Sequence, residues 1–87
     1  MKTIWKYPLL LIDGYQSLRM PAGARVLMIG LQQDHICLWA EVDPDEMAYF
    51  RRFSVHRTGH PIPPDRKYCG SVQQSAFVWH VYEKEGS

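Results

Sequence analysis

The residue types that could carry chemistry in this chain are concentrated between positions 51 and 65. This stretch begins as an apolar, strand-like segment and ends in a loop with three prolines. It also contains three arginines, whose guanidinium groups suit phosphates or carboxylates, and two histidines, which can act as bases or ligands. Turn chemistry alone explains the same loop, because Gly59 tolerates a positive φ and Pro61 holds His60 extended. The sequence therefore allows two interpretations of this loop, a recognition loop or a purely structural turn.

Motifs for metal binding and catalysis are missing from the sequence. The metal-ligand residue types other than carboxylates are His35, Cys37, His56, His60, Cys69 and His80. None of them has the Cys-x-x-Cys or His-Glu-x-x-His spacing that is typical of zinc sites. The serines lack a nucleophile-elbow context, and no glycine-rich phosphate loop occurs. We therefore expect no metal, no cofactor, no catalytic residues and no enzymatic activity.

Binding is better supported by the residue types in and beside this stretch. A pocket needs a few placed polar groups between aromatic walls. The residues that we expect at a ligand- or partner-binding site are Arg52, Arg57, Thr58, His60, Tyr68, Trp79 and His80. The arginines with neighbouring Phe50 and Phe53 also suit single-stranded nucleic acid. Ten Lys and Arg against nine Asp and Glu, with an acidic cluster at 43–46, argue against that partner.

Length and composition predict a single folded domain over residues 1–87. A hydrophobic content of 46% and an aromatic content of 13% are sufficient for a core. Two cysteines cannot build a disulfide framework. The apolar run at 9–12 is far too short for a signal core or for a membrane span of about 20 residues. We expect a cytoplasmic protein with no membrane contact, and near-neutral charge leaves self-association open.

The hydrophobic pattern predicts seven short strands, at residues 3–12, 15–20, 25–32, 35–42, 49–56, 67–73 and 76–83. The turn signal Asp13-Gly14 predicts a hairpin between the first two, with Tyr15 and Leu18 facing inward. The third and fourth strands are predicted to form a hairpin at the centre of the sheet, with a bulge or close approach at Gly30. Pro8 places the first strand at an edge or a bulge.

The remaining elements are a turn, a hairpin and a tail. Residues 43–46 are an acidic turn that could open one helical turn over 46–48. The last two strands are predicted to pair across Gln74-Ser75, with Phe77, Trp79 and Val81 on the core face. Residues 83–87 form a polar tail that we expect to fray. The fold class is therefore all-β, a small antiparallel sandwich or partly open barrel of six to seven strands.

Six short motifs in this sequence resemble a family of small phage and prophage domain proteins. The motifs are Ile4-Trp5-Lys6-Tyr7-Pro8-Leu9, Met20-Pro21-Ala22-Gly23-Ala24, Leu38-Trp39-Ala40-Glu41-Val42-Asp43-Pro44, Thr58-Gly59-His60-Pro61-Ile62, Tyr68-Cys69-Gly70 and Phe77-Val78-Trp79-His80-Val81-Tyr82-Glu83. Members of the family often carry a second glycine where Arg57 stands here. The resemblance implies a phage or mobile-element origin and a compact β domain, and no activity.

The first functional hypothesis is therefore a phage accessory protein that inhibits a host or antiviral-defence protein by direct binding, in the host cytoplasm. The second is an oligomeric sponge that sequesters a small anionic nucleotide signal. The third is a single-stranded nucleic-acid-binding or virion accessory protein. An enzyme built on cysteine or histidine is the fourth.

Overall fold

The computed structural model describes residues 1–85 and confirms the all-β fold class, with seven strands and no helix among these residues. The strands are β1 Thr3–Pro8, β2 Gln16–Pro21, β3 Arg25–Gln32, β4 His35–Val42, β5 Ala48–Arg57, β6 Arg66–Gln74 and β7 Phe77–Lys84. Branched and aromatic side chains dominate most of these segments, and proline, glycine or aspartate occurs in most of the connections.

The strands form two antiparallel sheets. One sheet has three strands in the order β1-β4-β3, and the other has four in the order β2-β5-β7-β6. The sheets approach each other most closely where β3 faces β6. A Cβ atom on Gly70 of β6 would come within 2.9 Å of Cγ1 of Ile29 in β3. Glycine therefore allows this close approach of the sheets, and the result is a partly open sandwich.

The core lies between the two sheets and is made of aliphatic residues around one phenylalanine. Its buried members are Leu9, Met20, Ala24, Ile29, Ile36, Leu38, Ala40, Val42, Phe53, Val55 and Val81. One face of β4 carries Ile36, Leu38, Ala40 and Val42, and all four are buried in the core. Alternation in β5 places Phe53 and Val55 on the core side, so Arg52, Ser54 and His56 lie on the outer face of the four-stranded sheet.

The hairpin between β3 and β4 is confirmed, but β3 lies at the edge of its sheet, and the central strand is β4. The bulge in β3 lies between Val26 and Met28, two residues before Gly30. The hairpin between β6 and β7 is also confirmed, with its turn at Ser75 and Ala76. Pro8 ends an edge strand, as the sequence predicts.

The predicted hairpin between the first two strands is wrong. β1 pairs with β4, and β2 pairs with β5 in the other sheet, so residues 9–15 cross from one sheet to the other. Leu9 continues beside β4 by donating its backbone N–H to the Ile36 carbonyl at 2.9 Å. Gln16 then holds the crossover by exchanging two hydrogen bonds of 2.8 Å with the backbone of Leu10. The Asp13-Gly14 turn therefore lies within the crossover between the sheets and does not close a hairpin.

Four smaller expectations are also corrected. Residues 43–46 form a turn closed by a 3.0 Å hydrogen bond from Glu46 N–H to the Asp43 carbonyl, and no helical turn follows. Tyr15 is 40% exposed and lies over the side chains of Arg66 and Lys84. Phe77 is 48% exposed, because the turn end of β7 extends beyond the buried core. Positions 83 and 84 of the predicted tail belong to β7, and residues 86–87 lie outside the described chain.

Candidate functional site

The sequence-predicted site residues fall into two groups on opposite faces of the four-stranded sheet. Arg57, His60 and Trp79 line a cleft at one end of the sandwich. Thr58, Tyr68 and His80 belong to a hydrogen-bonded chain on the outer face, and Arg52 lies farther along that face. The seven residues therefore do not converge on one pocket.

The cleft has a volume of about 270 Å³ and combines apolar walls with three polar side chains. Its lining residues are Leu11, Ile12, Asp13, Val55, Arg57, His60 and Trp79. Arg57 and Trp79 are brought together because they are directly paired across β5 and β7. The crossover between the sheets supplies the opposite wall. Trp79 is fixed by a 3.1 Å hydrogen bond from its indole N–H to the Gln74 side chain.

A chain of four polar side chains runs across the outer face from β5 to β6. Oγ1 of Thr58 lies 2.8 Å from Nε2 of His80, and Nδ1 of His80 lies 2.7 Å from Oγ of Ser71. The Tyr68 hydroxyl lies 2.7 Å from the same serine oxygen. Ser71 and His80 are directly paired across β6 and β7, so sheet register builds this chain.

A second histidine, His56, is buried on the same face. Its Nε2 lies 2.8 Å from Oγ of Ser54, and its Nδ1 lies 3.4 Å from Nδ1 of His60. Burial lowers the pKa of His56, and the positive charges of His60, Arg66 and His80 lower it further. His56 is therefore held in its neutral form.

This lowered pKa predicts that acid destabilises the fold through His56. The unfolded state, with a His56 pKa near 6.5, binds a proton at a higher pH than the folded state does. Stability is thus complete above this value and declines as the pH falls below it. In thermal unfolding between about pH 7.5 and about pH 5.5, His56→Gln should lose less Tm than the wild type.

The exposed His35 of β4 provides the matched control for this experiment. His35→Gln removes an imidazole of the same type from the other sheet, and it should leave the steep acid dependence intact. An equal pH dependence in the wild type and His56→Gln would show that His56 does not cause it.

The two serine–histidine contacts do not form a catalytic triad. A catalytic histidine receives the serine proton, and a carboxylate on its far nitrogen stabilises the resulting imidazolium. Here the far nitrogen of His80 faces the Thr58 hydroxyl, and that of His56 faces another imidazole. Arg66 adds a positive charge near His56. Burial and the neighbouring positive charges disfavour imidazolium formation at His56.

The two cysteine thiols lie against backbone carbonyl groups. Each cysteine thiol contacts a backbone carbonyl at 3.6 Å, Cys37 that of His35 and Cys69 that of Lys67. Burial and the nearby Glu83 carboxylate raise the pKa of Cys69 to about 11, so the thiolate form is suppressed at neutral pH. Within residues 1–85, no three His, Cys, Asp or Glu side chains are grouped so as to hold a metal ion.

Comparison with known families gives one match. A family described as a domain of unknown function, DUF7352, matches residues 1–87. The chain belongs to this family. No curated protein and no solved structure matches it. Membership of DUF7352 therefore assigns a family to the chain and leaves its function to be argued from the surface. Residues 1–85 of this DUF7352 member contain no helix of the length and apolarity that crossing a membrane requires.

Sequence reasoning missed two parts of this surface. The hydrophobic pattern predicts a strand through Leu11 and Ile12, because an aliphatic run beside a turn signal is typical of one. Ser71 became a partner of His80 only through the pairing of β6 with β7. In the crossover, Leu10 is 61% exposed, Leu11 is 51% exposed and Ile12 is 42% exposed. This exposure follows from the pairing of β1 and β2 with different strands, which the sequence does not show.

Proposed function

We propose that this chain is a non-catalytic binding protein that covers a site on a partner protein with the crossover and its cleft. The observation that carries the proposal is the run of three exposed aliphatic side chains at residues 10–12, directly beside the cleft that contains Arg57 and Trp79. Contiguous exposed apolar surface next to polar groups marks interaction sites.

The composition of the cleft fits a protein partner. Tryptophan and arginine are enriched among the residues that contribute most to protein–protein binding. Arg57 is exposed and forms no ion pair or hydrogen bond through its side chain within residues 1–85. A partner can place an apolar side chain against Leu11 and Trp79 and a carboxylate against Arg57. Asp13 in the same wall disfavours a partner of high negative charge.

The size of the cleft favours a protein side chain over a nucleotide. At about 270 Å³ it lies below the range of roughly 300–1,000 Å³ that encloses small-molecule ligands. At this cleft, an oligomeric sponge would need further walls from a second copy of the chain. Binding to the surface of a partner protein requires no such additional walls.

The resemblance to phage and prophage proteins suggests a specific biological form of this proposal. In that form, the chain is a phage accessory protein that blocks a host or antiviral-defence protein in the cytoplasm. Small phage proteins often act in this way, by binding without chemistry, and no carboxylate completes either serine–histidine contact here.

Native mass spectrometry after incubation with host lysate tests the proposed function. The wild type should form a complex of defined stoichiometry with a protein. Leu11→Asp places a charge in the apolar wall and should reduce the complex at least about tenfold, as the loss of a central interface contact does. A retained small molecule with no captured protein would favour the sponge instead.

Met47→Asp provides the matched control, because Met47 is 69% exposed and precedes β5 at the end opposite Arg57. It introduces the same charge on an exposed apolar side chain away from the cleft, and the complex should persist. Loss of binding in both variants, or in neither, would contradict an interface at the cleft.

A further inference from the structure

We propose that the outer face of the four-stranded sheet binds single-stranded nucleic acid. This face comprises the outward positions of β2, β5, β7 and β6, and it is distinct from the cleft of the proposed function. The residues that we expect to contact the ligand are Arg19, Phe50, Arg52 and Tyr68.

Charge is strongly segregated in the chain, although the total is near zero. Seven of the ten basic residues and one of the nine acidic residues lie in the strands of this sheet, and four of the seven, Arg19, Arg52, Arg66 and Lys84, are at outward positions. The one carboxylate, Glu83, is bound to Arg51 by two hydrogen bonds of 2.6 and 2.8 Å, away from the outer face. The outward strand positions therefore present positive charge without a carboxylate, which is complementary to a polyanion.

Two of these arginines are available to a ligand. Arg19 and Arg52 are exposed, and their side chains form no hydrogen bond or ion pair within residues 1–85. Register places Arg19 opposite Phe50 and Arg52 opposite Ser17, so the two guanidinium groups are diagonal neighbours on adjacent strands. Neighbouring like charges oppose folding, and an anionic ligand relieves that repulsion.

Exposed aromatic rings accompany the arginines. Phe50 is 65% exposed and Tyr68 is 56% exposed. Strand geometry separates them by about 16 Å across the face, and Arg52 lies between them. Bases stack on such rings whatever their sequence, and arginines on the same face contact the phosphates. The Ser71 and Tyr68 hydroxyls, held by His80, add hydrogen-bonding groups at the far end.

The alternative occupant is an acidic protein segment, which would use the arginines alone. Phe50 distinguishes the two, since a base stacks on its ring and an acidic side chain does not. Single-stranded nucleic acid is favoured because the two most exposed aromatic side chains of this face flank its free arginines.

Fluorescence anisotropy with a labelled oligothymidylate of roughly 12 nucleotides tests the proposal. The wild type should bind the single strand more tightly than a duplex of equal length. Arg52→Gln, Arg19→Gln and Phe50→Ser should each weaken binding about tenfold. In a salt titration, Arg52→Gln should also reduce the slope of log K against log salt by about 0.7, the value for one lost phosphate contact on a single strand.

Arg25→Gln is the matched control, because it removes the same charge from an exposed side chain in the three-stranded sheet. It should leave affinity and salt slope unchanged. Equal loss in Arg25→Gln and Arg52→Gln would overturn the proposal, as would undiminished binding by Phe50→Ser.

Polyglutamate provides the second comparison. Equally tight binding of polyglutamate and oligonucleotide would assign the face to an acidic protein and overturn the proposal. Leu11→Asp should bind the oligonucleotide like the wild type. The nucleic-acid proposal and the proposed protein interface at the cleft can therefore fail independently of each other.

Discussion

Phe53→Ala is expected to lower the free energy of unfolding by about 3–5 kcal/mol, the usual cost of removing a buried phenylalanine ring. Phe53 is fully buried and is among the largest buried side chains between the two sheets. The total stability of so small a domain is about 5–10 kcal/mol, so this variant should lose a large part of it. Urea denaturation, followed by tryptophan fluorescence, measures the change.

Phe77→Ala is the control for this prediction. It removes the same ring from the same sheet, but Phe77 is 48% exposed and its ring packs mainly beside Trp79 at 5.8 Å. Its cost should stay below about 1 kcal/mol. A loss equal to that of Phe53→Ala would mean that the turn end of β7 contributes to the core, as the sequence pattern alone indicates.

The two phenylalanines show what alternation can predict. In β4, the four residues that alternation groups on one face, Ile36, Leu38, Ala40 and Val42, are all buried, because this face of the central strand is covered along its whole length. In β7, alternation assigned Phe77 and Val81 to one face, but only Val81 is covered by the opposite sheet. Alternation predicts the face on which a residue lies, whereas burial depends on how far the other sheet extends.

Pairing between distant strands accounts for the other failures. A turn signal such as Asp13-Gly14 is the same in a hairpin and in a crossover, so the sequence could not show that β1 and β2 belong to different sheets. The three arginines of β5 likewise lie in three different environments. Arg51 binds Glu83, Arg52 lies on the outer face, and Arg57 lines the cleft.

Net charge also hides how charge is distributed over the two sheets. The near-neutral total counted against nucleic acid, but it averages a basic four-stranded sheet with acidic turns and connections. Arg19 joins the proposed binding face only through the register between β2 and β5. The candidate site could thus be predicted by residue type around positions 52–60, whereas its division into two surfaces required the strand order.

Arg51→Leu is expected to cost about 2–3 kcal/mol, because it leaves the Glu83 carboxylate largely buried without its partner. The two side chains are only 25% and 15% exposed. Arg51 also donates a 2.6 Å hydrogen bond to the Ala24 carbonyl, which lies just before β3. The arginine therefore ties β5 to β7 and to the connection between the two sheets. Equilibrium urea unfolding of the variant measures the loss.

Two further variants distinguish this cause from a general loss of charge. In Arg51→Leu/Glu83→Leu no buried charge is left unpaired, so the double variant should recover part of the lost stability. Arg25→Leu breaks the exposed pair with Glu41, whose atoms are 3.7 Å apart, and should cost less than about 1 kcal/mol. If Arg25→Leu were as destabilising as Arg51→Leu, burial could not be the reason. Because the Arg51 guanidinium also lies 5.8 Å from the Phe53 ring, we expect the costs of Arg51→Leu and Phe53→Ala to be non-additive.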